Sequence, residues 1–174
     1  MSGLRPFKIE TPRLTIRRFL LGEVDHYLHV RNDPSVSETL PWIAPLCPED
    51  AWAFMTRQVV ISPGAPNVEA HLAITDRERG FVLGTCFAKM DVSGHAEVGV
   101  LLAPQARGYE LELEVVKALL TWAKHARDGP RSKKVTIKVD AKDDATLASF
   151  SAAGFNMVSQ HLWHGKFPYY IVSA

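Results

Sequence analysis

The stretch from Ala96 to His125 constrains the fold most strongly, because a strand, a short turn and a long helix follow one another without interruption. Residues 97–102 form an apolar run that carries one carboxylate, Glu97. The turn contains Pro104, Gln105, Arg107 and Gly108. The first N–H groups of the following helix have no intrahelical partner and lie at the positive end of its dipole. The stretch therefore predicts a binding site for an anion such as a phosphate group.

Composition indicates one soluble domain. The chain has 174 residues, of which 47% are hydrophobic, enough to build one core, and we expect a single domain over residues 1–174. Charged residues make up 22% and the net charge is +1, which gives no reason to expect nucleic acid or an anionic membrane as a partner. No apolar run approaches the roughly 20 residues of a membrane span, and residues 1–10 lack the apolar core of a signal peptide. Two cysteines, Cys47 and Cys86, fit a reducing compartment, so a cytoplasmic location is expected.

Hydrophobic periodicity predicts an α+β fold with a mixed sheet. Strands are predicted at about 14–19, 71–75, 81–90, 97–102, 135–139, 157–163 and 167–172, and helices at about 21–30, 48–60, 108–125 and 143–153. Residues 1–9 are predicted to be a loose lead-in, and residues 33–47 an irregular loop. The strand–helix–strand unit over residues 97–139 is predicted to be a right-handed crossover between parallel strands.

Four short segments carry a resemblance to a known family. They are ETPRLTIRRF at residues 10–19, VRNDPSVSETLPW at 30–42, AEVGVLL at 96–102 and SAAGF at 151–155. In their order and spacing the segments resemble the Gcn5-related N-acetyltransferases (GNAT), and in particular the RimJ/RimL branch. The resemblance covers nearly the whole chain. It implies a mostly antiparallel sheet of about six to seven strands flanked by about four helices, and transfer of an acetyl group from acetyl-CoA to an amine.

The resemblance assigns the turn to the pyrophosphate of coenzyme A. The family reads Gln or Arg, two residues, Gly, one residue, then Gly or Ala, and here Gln105, Gly108 and Glu110 fall on those positions. Arg107 and Tyr109 lie between them and would also contact the cofactor. Glu110 departs from the pattern, because a carboxylate about 4–6 Å from a diphosphate is repulsive by about a few kcal/mol. Glu110 could instead turn outward, since acids are common in the first turn of a helix.

Other cofactor contacts are implied along the strand and the last helix. Backbone groups of Val100, Leu101 and Leu102 would run beside the pantetheine arm and polarise the thioester carbonyl. Asp143 stands where the family often has Asn, and an ionised Asp can only accept hydrogen bonds. Thr146 keeps the hydroxyl that in this branch would protonate the leaving thiolate, although helix N-cap chemistry explains a Thr or Asp there equally well.

Glu97 is the candidate base or water-organising residue. It lies in an otherwise apolar strand, and burial there would raise the pKa of its carboxyl toward neutrality. Two other interpretations remain open, a position on the solvent face or an ion pair with Lys89 or Arg17.

The acceptor site is implied to include Trp42, His161 and Tyr170, with His164 as a further candidate beside the last hairpin. Core or rim packing is an alternative for each aromatic residue. No spacing of Cys, His and carboxylates predicts a metal site.

Two functions follow from these residues. The first is an acetyl-CoA-dependent N-acetyltransferase acting on a small-molecule or peptide amine, as a monomer or homodimer. The second is a protein of the same fold that has lost coenzyme A, because of Glu110 and Asp143, and that binds a small molecule or catalyses a reaction without coenzyme A.

Overall fold

The protein forms one eight-stranded sheet flanked by helices in a computed structural model that describes residues 6–40, 43–108 and 110–174. The strands are β1 (Lys8–Glu10), β2 (Leu14–Arg18), β3 (Glu69–Asp76), β4 (Val82–Met90), β5 (His95–Leu102), β6 (Lys134–Asp140), β7 (Asn156–Trp163) and β8 (Phe167–Ser173). Their spatial order is β1-β2-β3-β4-β5-β6-β8-β7. Only β5 and β6 are parallel neighbours, and every other adjacent pair is antiparallel. The predicted α+β fold and the parallel crossover pair are thereby confirmed.

Helices cover both faces of this sheet. They are α1 (Val24–Arg31), α2 (Pro34–Thr39), α3 (Pro48–Gln58), α4 (Leu111–His125) and α5 (Asp144–Ala152). The α4 face of the sheet carries the main core, in which α4 and α5 pack on the buried side chains Leu72, Cys86, Ala88, Val98 and Ile137. The α1 face is the opposite one, where α1 and α3 pack on Ala73, and α2 reaches Leu101. Alternation along each strand decides which residues belong to which face.

The parallel pair is short, and this positions the candidate site. β6 pairs with β5 only from His95 to Val98, in register with Lys134 to Ile137. β5 nevertheless continues to Leu102 and β6 to Asp140. The two strands therefore part beyond Val98 and leave a gap, called here the β5–β6 opening, between residues 99–102 and 138–140. Because parallel strands end at the same edge of a sheet, the N-termini of α4 and α5 lie at its mouth.

Three sequence predictions about the fold need correction. Lys8 and Ile9 were expected in a loose lead-in over residues 1–9 but form β1 together with Glu10, which adds an eighth strand beside β2. Residues 34–39 were expected to be irregular but form α2, because Asp33 caps the helix by accepting the backbone N–H of Ser35 and Pro34 occupies its first turn. The long helix was expected from Gly108 but begins at Leu111.

Glu114 joins the start of the described chain to α4. Its carboxylate accepts hydrogen bonds from the Thr11 hydroxyl at 2.5 Å, the Arg13 backbone N–H at 3.0 Å and the Arg13 Nε at 2.6 Å. Burial raises the pKa of this carboxyl, but these hydrogen bonds outweigh burial and hold the pKa below its ordinary value. The cluster ties β1 and β2 to the helix that carries the main core.

Replacing Glu114 with Gln is expected to lower the free energy of unfolding by roughly 1 to 2 kcal/mol at pH 7, since hydrogen bonds to a charged group are lost. The unfolded carboxyl titrates near pH 4.3, so this stabilisation is complete above that pH and disappears as pH falls through the lower folded pKa. Urea unfolding of both proteins at pH 7 and pH 3 measures the difference. The control is Glu78→Gln in the exposed β3–β4 turn. An equal difference at the two pH values would contradict the prediction.

Candidate active site

The α1 face of the sheet presents a row of alternating charges beside the β5–β6 opening. Strand register places Glu69 opposite Lys89, and Lys89 opposite Glu97. The predicted base Glu97 is half-buried and forms an ion pair with Lys138 of β6, with 2.9 Å between Oε1 and Nζ. The ion pair expected with Lys89 or Arg17 is thus made by Lys138 instead. A carboxylate held this way is suited to attract a cationic amine to the start of the opening.

A second row lies next to the first and is aromatic. His71 is opposite Phe87, and Phe87 is opposite Gly99. A Cβ on Gly99 would lie only 2.1 Å from Cε1 of Phe87, so the Phe87 ring lies over the glycine. This close approach explains the glycine two residues after Glu97. The row therefore forms a flat apolar floor that reaches the point where β5 and β6 part.

His71 is clamped at the far end of the aromatic row. Its ring stacks near Phe87 with centroids 5.7 Å apart, and it meets the Phe54 ring edge-on at 4.9 Å. Its Nε2 lies 2.7 Å from Oε1 of Glu69, and only 11% of its side chain is exposed. The hydrogen bond from His71, more than any other influence, holds the pKa of Glu69 below its ordinary value. Gln58 fixes the backbone by accepting the His71 N–H at 2.8 Å.

The turn before α4 contains two residues with positive φ. Gly108 has φ +82° and Glu110 has φ +58°, both left-handed conformations, on either side of Tyr109, which lies outside the described residues. Glu110 is exposed, and its side chain does not cap α4. Arg107 braces the turn by donating to the Leu102 carbonyl at 3.0 Å and to the Ser35 hydroxyl at 2.6 Å. Gln105 is exposed on the short 3-10 turn Pro104–Ala106.

Glu112, in the first turn of α4, is a carboxylate whose pKa is strongly raised by its surroundings. Burial, and after it the negative charge of Asp143, raise the pKa of its carboxyl to about 7, although Arg107 opposes both. Sequence reasoning assigned the repulsive role to Glu110, two residues earlier. Glu110 precedes the helix and is exposed, whereas Glu112 lies in its first turn and is half-buried. The raised pKa means that the Glu112 carboxyl takes up a proton more readily than an ordinary glutamate.

The N-terminus of α5 supplies the other predicted cofactor residues. Asp143 caps this helix by accepting the Thr146 backbone N–H at 3.0 Å. Thr146 is half-buried in the first turn of α5. The structure therefore places the predicted acid at the mouth of the β5–β6 opening. Val100, Leu101 and Leu102 form the other wall, on the part of β5 beyond the pairing with β6.

The predicted acceptor residues lie in different places. His161 is exposed on β7, stacks on Tyr169 with centroids 5.5 Å apart, and lies 2.9 Å from the Ser159 hydroxyl. His164 lies in the β7–β8 turn with φ +48°. Tyr170 packs against the main core, which places it on the α4 face of the sheet, away from Glu97. Trp42 lies outside the described residues.

Sequence reasoning missed Glu69, His71, Phe87 and Lys138 as candidate site residues. Each is an ordinary member of an alternating strand, and only strand register brings them to one face beside Glu97. The one available signal was the period-two spacing of Glu69 and His71, which predicts a common face.

Within the described ranges, no group of three or more His, Cys, Asp or Glu side chains is arranged to hold a metal ion. None of the helices described is long and apolar enough to cross a membrane.

Comparison with known proteins finds one family. The family model described as "Acetyltransferase (GNAT) domain" matches residues 13–156. A GNAT-family acetyltransferase from Bacillus anthracis superposes with a TM-score of 0.78 at 14% identity, covering 97% of this chain and 98% of that one. A spermidine N-acetyltransferase chimera from Vibrio cholerae and hSSAT superposes with a TM-score of 0.72 at 12% identity, covering 92% and 93%. A comparison with curated proteins finds no match.

A structure from Vibrio cholerae described as a ribosomal-protein-serine acetyltransferase has a TM-score of 0.73 at 16% identity, with 96% of this chain and 95% of that chain covered. At such identities the similarity establishes the fold.

The Glu112→Gln variant is expected to be more stable than the wild type at pH 8 by roughly 1 to 3 kcal/mol. The folded pKa of about 7 exceeds the unfolded value near 4.3, so the wild type loses stability as pH rises between them, and Gln removes that loss. At pH 4 both side chains are neutral and the gain disappears. Urea unfolding at both pH values measures it, with the exposed Glu110→Gln as control. A gain of equal size at pH 4 would contradict a charge effect.

Proposed function

Because the chain belongs to the GNAT acetyltransferase family, we propose that it transfers the acetyl group of acetyl-CoA directly to a primary amine at the β5–β6 opening. The observation that carries this proposal is the short register of the parallel pair. Beyond Val98, one edge of β5 has no strand partner, and two helix N-termini lie at the mouth of the gap. The opening therefore offers backbone hydrogen bonds and two favourable dipoles to an extended, anionic ligand.

The pantetheine arm would lie along Val100 to Leu102, where the free backbone edge replaces a strand partner with ligand hydrogen bonds. The diphosphate would lie at the turn before α4, where Gly108 and Glu110 have left-handed conformations and the first N–H groups of the helix have no intrahelical partner. The Glu110 side chain is exposed. Because the pKa of Glu112 is raised to about 7, protonation of this carboxyl would reduce the repulsion expected from the acidic helix start.

The chemistry needs a neutral amine, a polarised carbonyl and a proton for the thiolate. Glu97, held by Lys138, would attract the acceptor ammonium and help remove its proton. The free backbone edge of β5 would polarise the thioester carbonyl. Thr146, in the first turn of α5, would donate the proton to the leaving thiolate.

The acceptor belongs to the class of primary amines on a small molecule or a peptide. The spermidine acetyltransferase chimera with the same fold acts on a small polyamine, and the neighbour described as acting on a ribosomal-protein serine belongs to the protein-directed kind. The RimJ/RimL-like motifs favour the N-terminal amine of a protein or peptide. The charge row Glu69, Lys89, Glu97 and Lys138 is balanced, which suits an acceptor carrying both charges, as a peptide N-terminus with a nearby carboxylate does.

One observation favours the second function, that of a protein of the same fold that has lost coenzyme A. Glu112 lies close enough to Asp143 for the two carboxyls to interact, and both are near the place assigned to the diphosphate. If both ionise, the turn would reject coenzyme A, and the opening would serve a different ligand. Titration with acetyl-CoA discriminates the two functions.

Isothermal titration with acetyl-CoA at pH 7 is expected to show binding at sub-millimolar concentration, tightened about tenfold by Glu110→Gly. Glycine adopts φ +58° without strain and removes a carboxylate beside the diphosphate, and a tenfold change corresponds to ~1.4 kcal/mol. Arg131 also has a positive φ, of 56°, so Arg131→Gly is the matched control and should leave affinity unchanged. Absence of binding at millimolar acetyl-CoA would refute the transferase and support the second function.

Release of free thiol from acetyl-CoA in the presence of amines and short peptides measures transfer. Glu97→Gln is expected to lower kcat/KM by about 100-fold or more, since a charged group that positions the ammonium and assists its deprotonation is lost. Glu10 also forms an ion pair with a lysine, Lys8 at 2.6 Å, but at the edge of the sheet, so Glu10→Gln is the control. An unchanged rate in Glu97→Gln would remove its assigned role.

A further inference from the structure

We propose that His71 is a catalytic base of this protein, with Glu69 as its positioning residue. The inference rests on the proposed acetyl transfer and names the group that receives the proton of the acceptor amine. Neither residue belongs to the segments that carry the family resemblance. What brings them to the site is the register of β3, β4 and β5.

The hydrogen bond with Glu69 fixes the tautomer of the imidazole. An ionised carboxylate only accepts, so the 2.7 Å contact between Glu69 Oε1 and His71 Nε2 places a hydrogen on Nε2. The other nitrogen, Nδ1, then carries a lone pair. Nδ1 makes no hydrogen bond to any part of the chain that the structure describes. An imidazole with one nitrogen held by a carboxylate and the other left open has the arrangement of a general base.

The ring is held firmly enough to act at a fixed place. Phe54 meets it edge-on at 4.9 Å, Phe87 stacks near it at 5.7 Å, and Tyr27 closes a further side at 6.5 Å. Gln58 fixes the backbone of His71 by accepting its N–H and reaches the Glu69 carbonyl at 3.4 Å through its own Nε2. Rotation of the ring away from Glu69 would break these contacts, so the geometry is set before any ligand binds.

The aromatic row connects this imidazole to the β5–β6 opening. Phe87 separates His71 from Gly99, and the Phe87 ring lies over that glycine, one residue beyond the last paired residue of β5. Neighbouring strands are about 4.8 Å apart, so the backbones of His71 and Gly99 are separated by roughly 10 Å. An amine lying over Phe87 and a single water span that distance, which is a route that general-base catalysis uses.

The charges around the row favour His71 over Glu97 as the final proton acceptor. Glu97 is bound to the ammonium of Lys138 at 2.9 Å and has Lys89 as its cross-strand neighbour. The Lys138 ammonium already occupies this carboxylate, whereas Nδ1 of His71 makes no hydrogen bond to the described chain. Imidazole is the side chain whose ordinary pKa lies nearest neutrality. The charged or titratable groups around His71 are Glu69 on its own strand, Tyr27 and Arg31 from α1, and Lys89 and Lys138, whose charges act on Glu69.

The acceptor ammonium passes one proton through water to Nδ1 of His71 and becomes a neutral amine. The amine nitrogen then attacks the thioester carbonyl carbon, so a C–N bond forms. The C–S bond breaks, and its electron pair leaves with sulfur as coenzyme A thiolate. The acetylated nitrogen loses its second proton, which reaches the thiolate through the Thr146 hydroxyl or solvent, so that Thr146 ends the step protonated as it began. The products are an N-acetylated acceptor and free coenzyme A, with imidazolium returning its proton to solvent.

The test is the pH dependence of kcat for wild type and His71→Gln, using an amine that the wild type acetylates. The variant is expected to lose about 100-fold in kcat at pH 7 and to lose the acidic limb of the profile, while KM for acetyl-CoA is retained. Glu69→Gln is expected to lose about tenfold in kcat with KM for acetyl-CoA retained, because the imidazole is no longer held in the tautomer that leaves Nδ1 able to accept a proton. His125→Gln, at an exposed histidine in the last turn of α4, is the control.

An acceptor that is neutral at pH 7 distinguishes the loss of a catalytic base from damage to the fold. With an arylamine, which is unprotonated at pH 7, the loss in His71→Gln should shrink to less than tenfold, whereas damage to the fold would affect both acceptors equally. If His71→Gln fails to fold, Glu69→Gln replaces it, since its side chain is 44% exposed. An unchanged rate and profile in a folded variant would overturn the proposal and leave the transferase standing. A wild type that binds no acetyl-CoA would overturn the proposed function itself.

Discussion

The arrangement of the molecule depends on one backbone constraint, the parting of β5 and β6 after Val98. Backbone N–H and C=O groups in a protein interior need partners, so an unpaired strand edge is costly unless water or a ligand reaches it. Here the edge from Gly99 to Leu102 faces a gap whose mouth is flanked by the first turns of α4 and α5. The same break that interrupts the sheet therefore creates a place for an extended ligand with an anionic end.

The three acids at the start of α4, Glu110, Glu112 and Glu114, lie in three different environments. Glu110 adopts φ +58°, a conformation that costs roughly 1–3 kcal/mol for a residue with a side chain, and it is exposed to solvent. Glu112 faces Asp143 and Arg107 instead, and burial raises the pKa of its carboxyl to about 7. Glu114 faces the start of the chain and is bound by Thr11 and Arg13. Three acids within one turn and a half thus have three different electrostatic roles.

Sequence predicted the elements with strong periodicity and missed those that depend on context. The apolar stripe of α4 and the β-branched run of β6 were sufficient to predict these two elements, because both bury many apolar side chains. β1 has only three residues and needs β2 to form, and α2 has only six and depends on the Asp33 cap. In the site, Gly108 and Glu97 followed from local motifs. His71 did not, since its relation to Phe87 and Gly99 is set by the register of three strands.

Glu97 illustrates why a motif residue needs its neighbours before it has a chemical meaning. In the sequence it is a lone carboxylate among apolar residues, which indicates an unpaired acid with a raised proton affinity. In the fold, Lys138 lies one residue past the last paired position of β6, on the same face, and reaches the carboxylate at 2.9 Å. The ion pair converts Glu97 into a fixed anion suited to hold a cationic amine. The proton then needs another destination, and the His71 imidazole on β3 has one nitrogen held by Glu69 and the other without a hydrogen bond to the described chain.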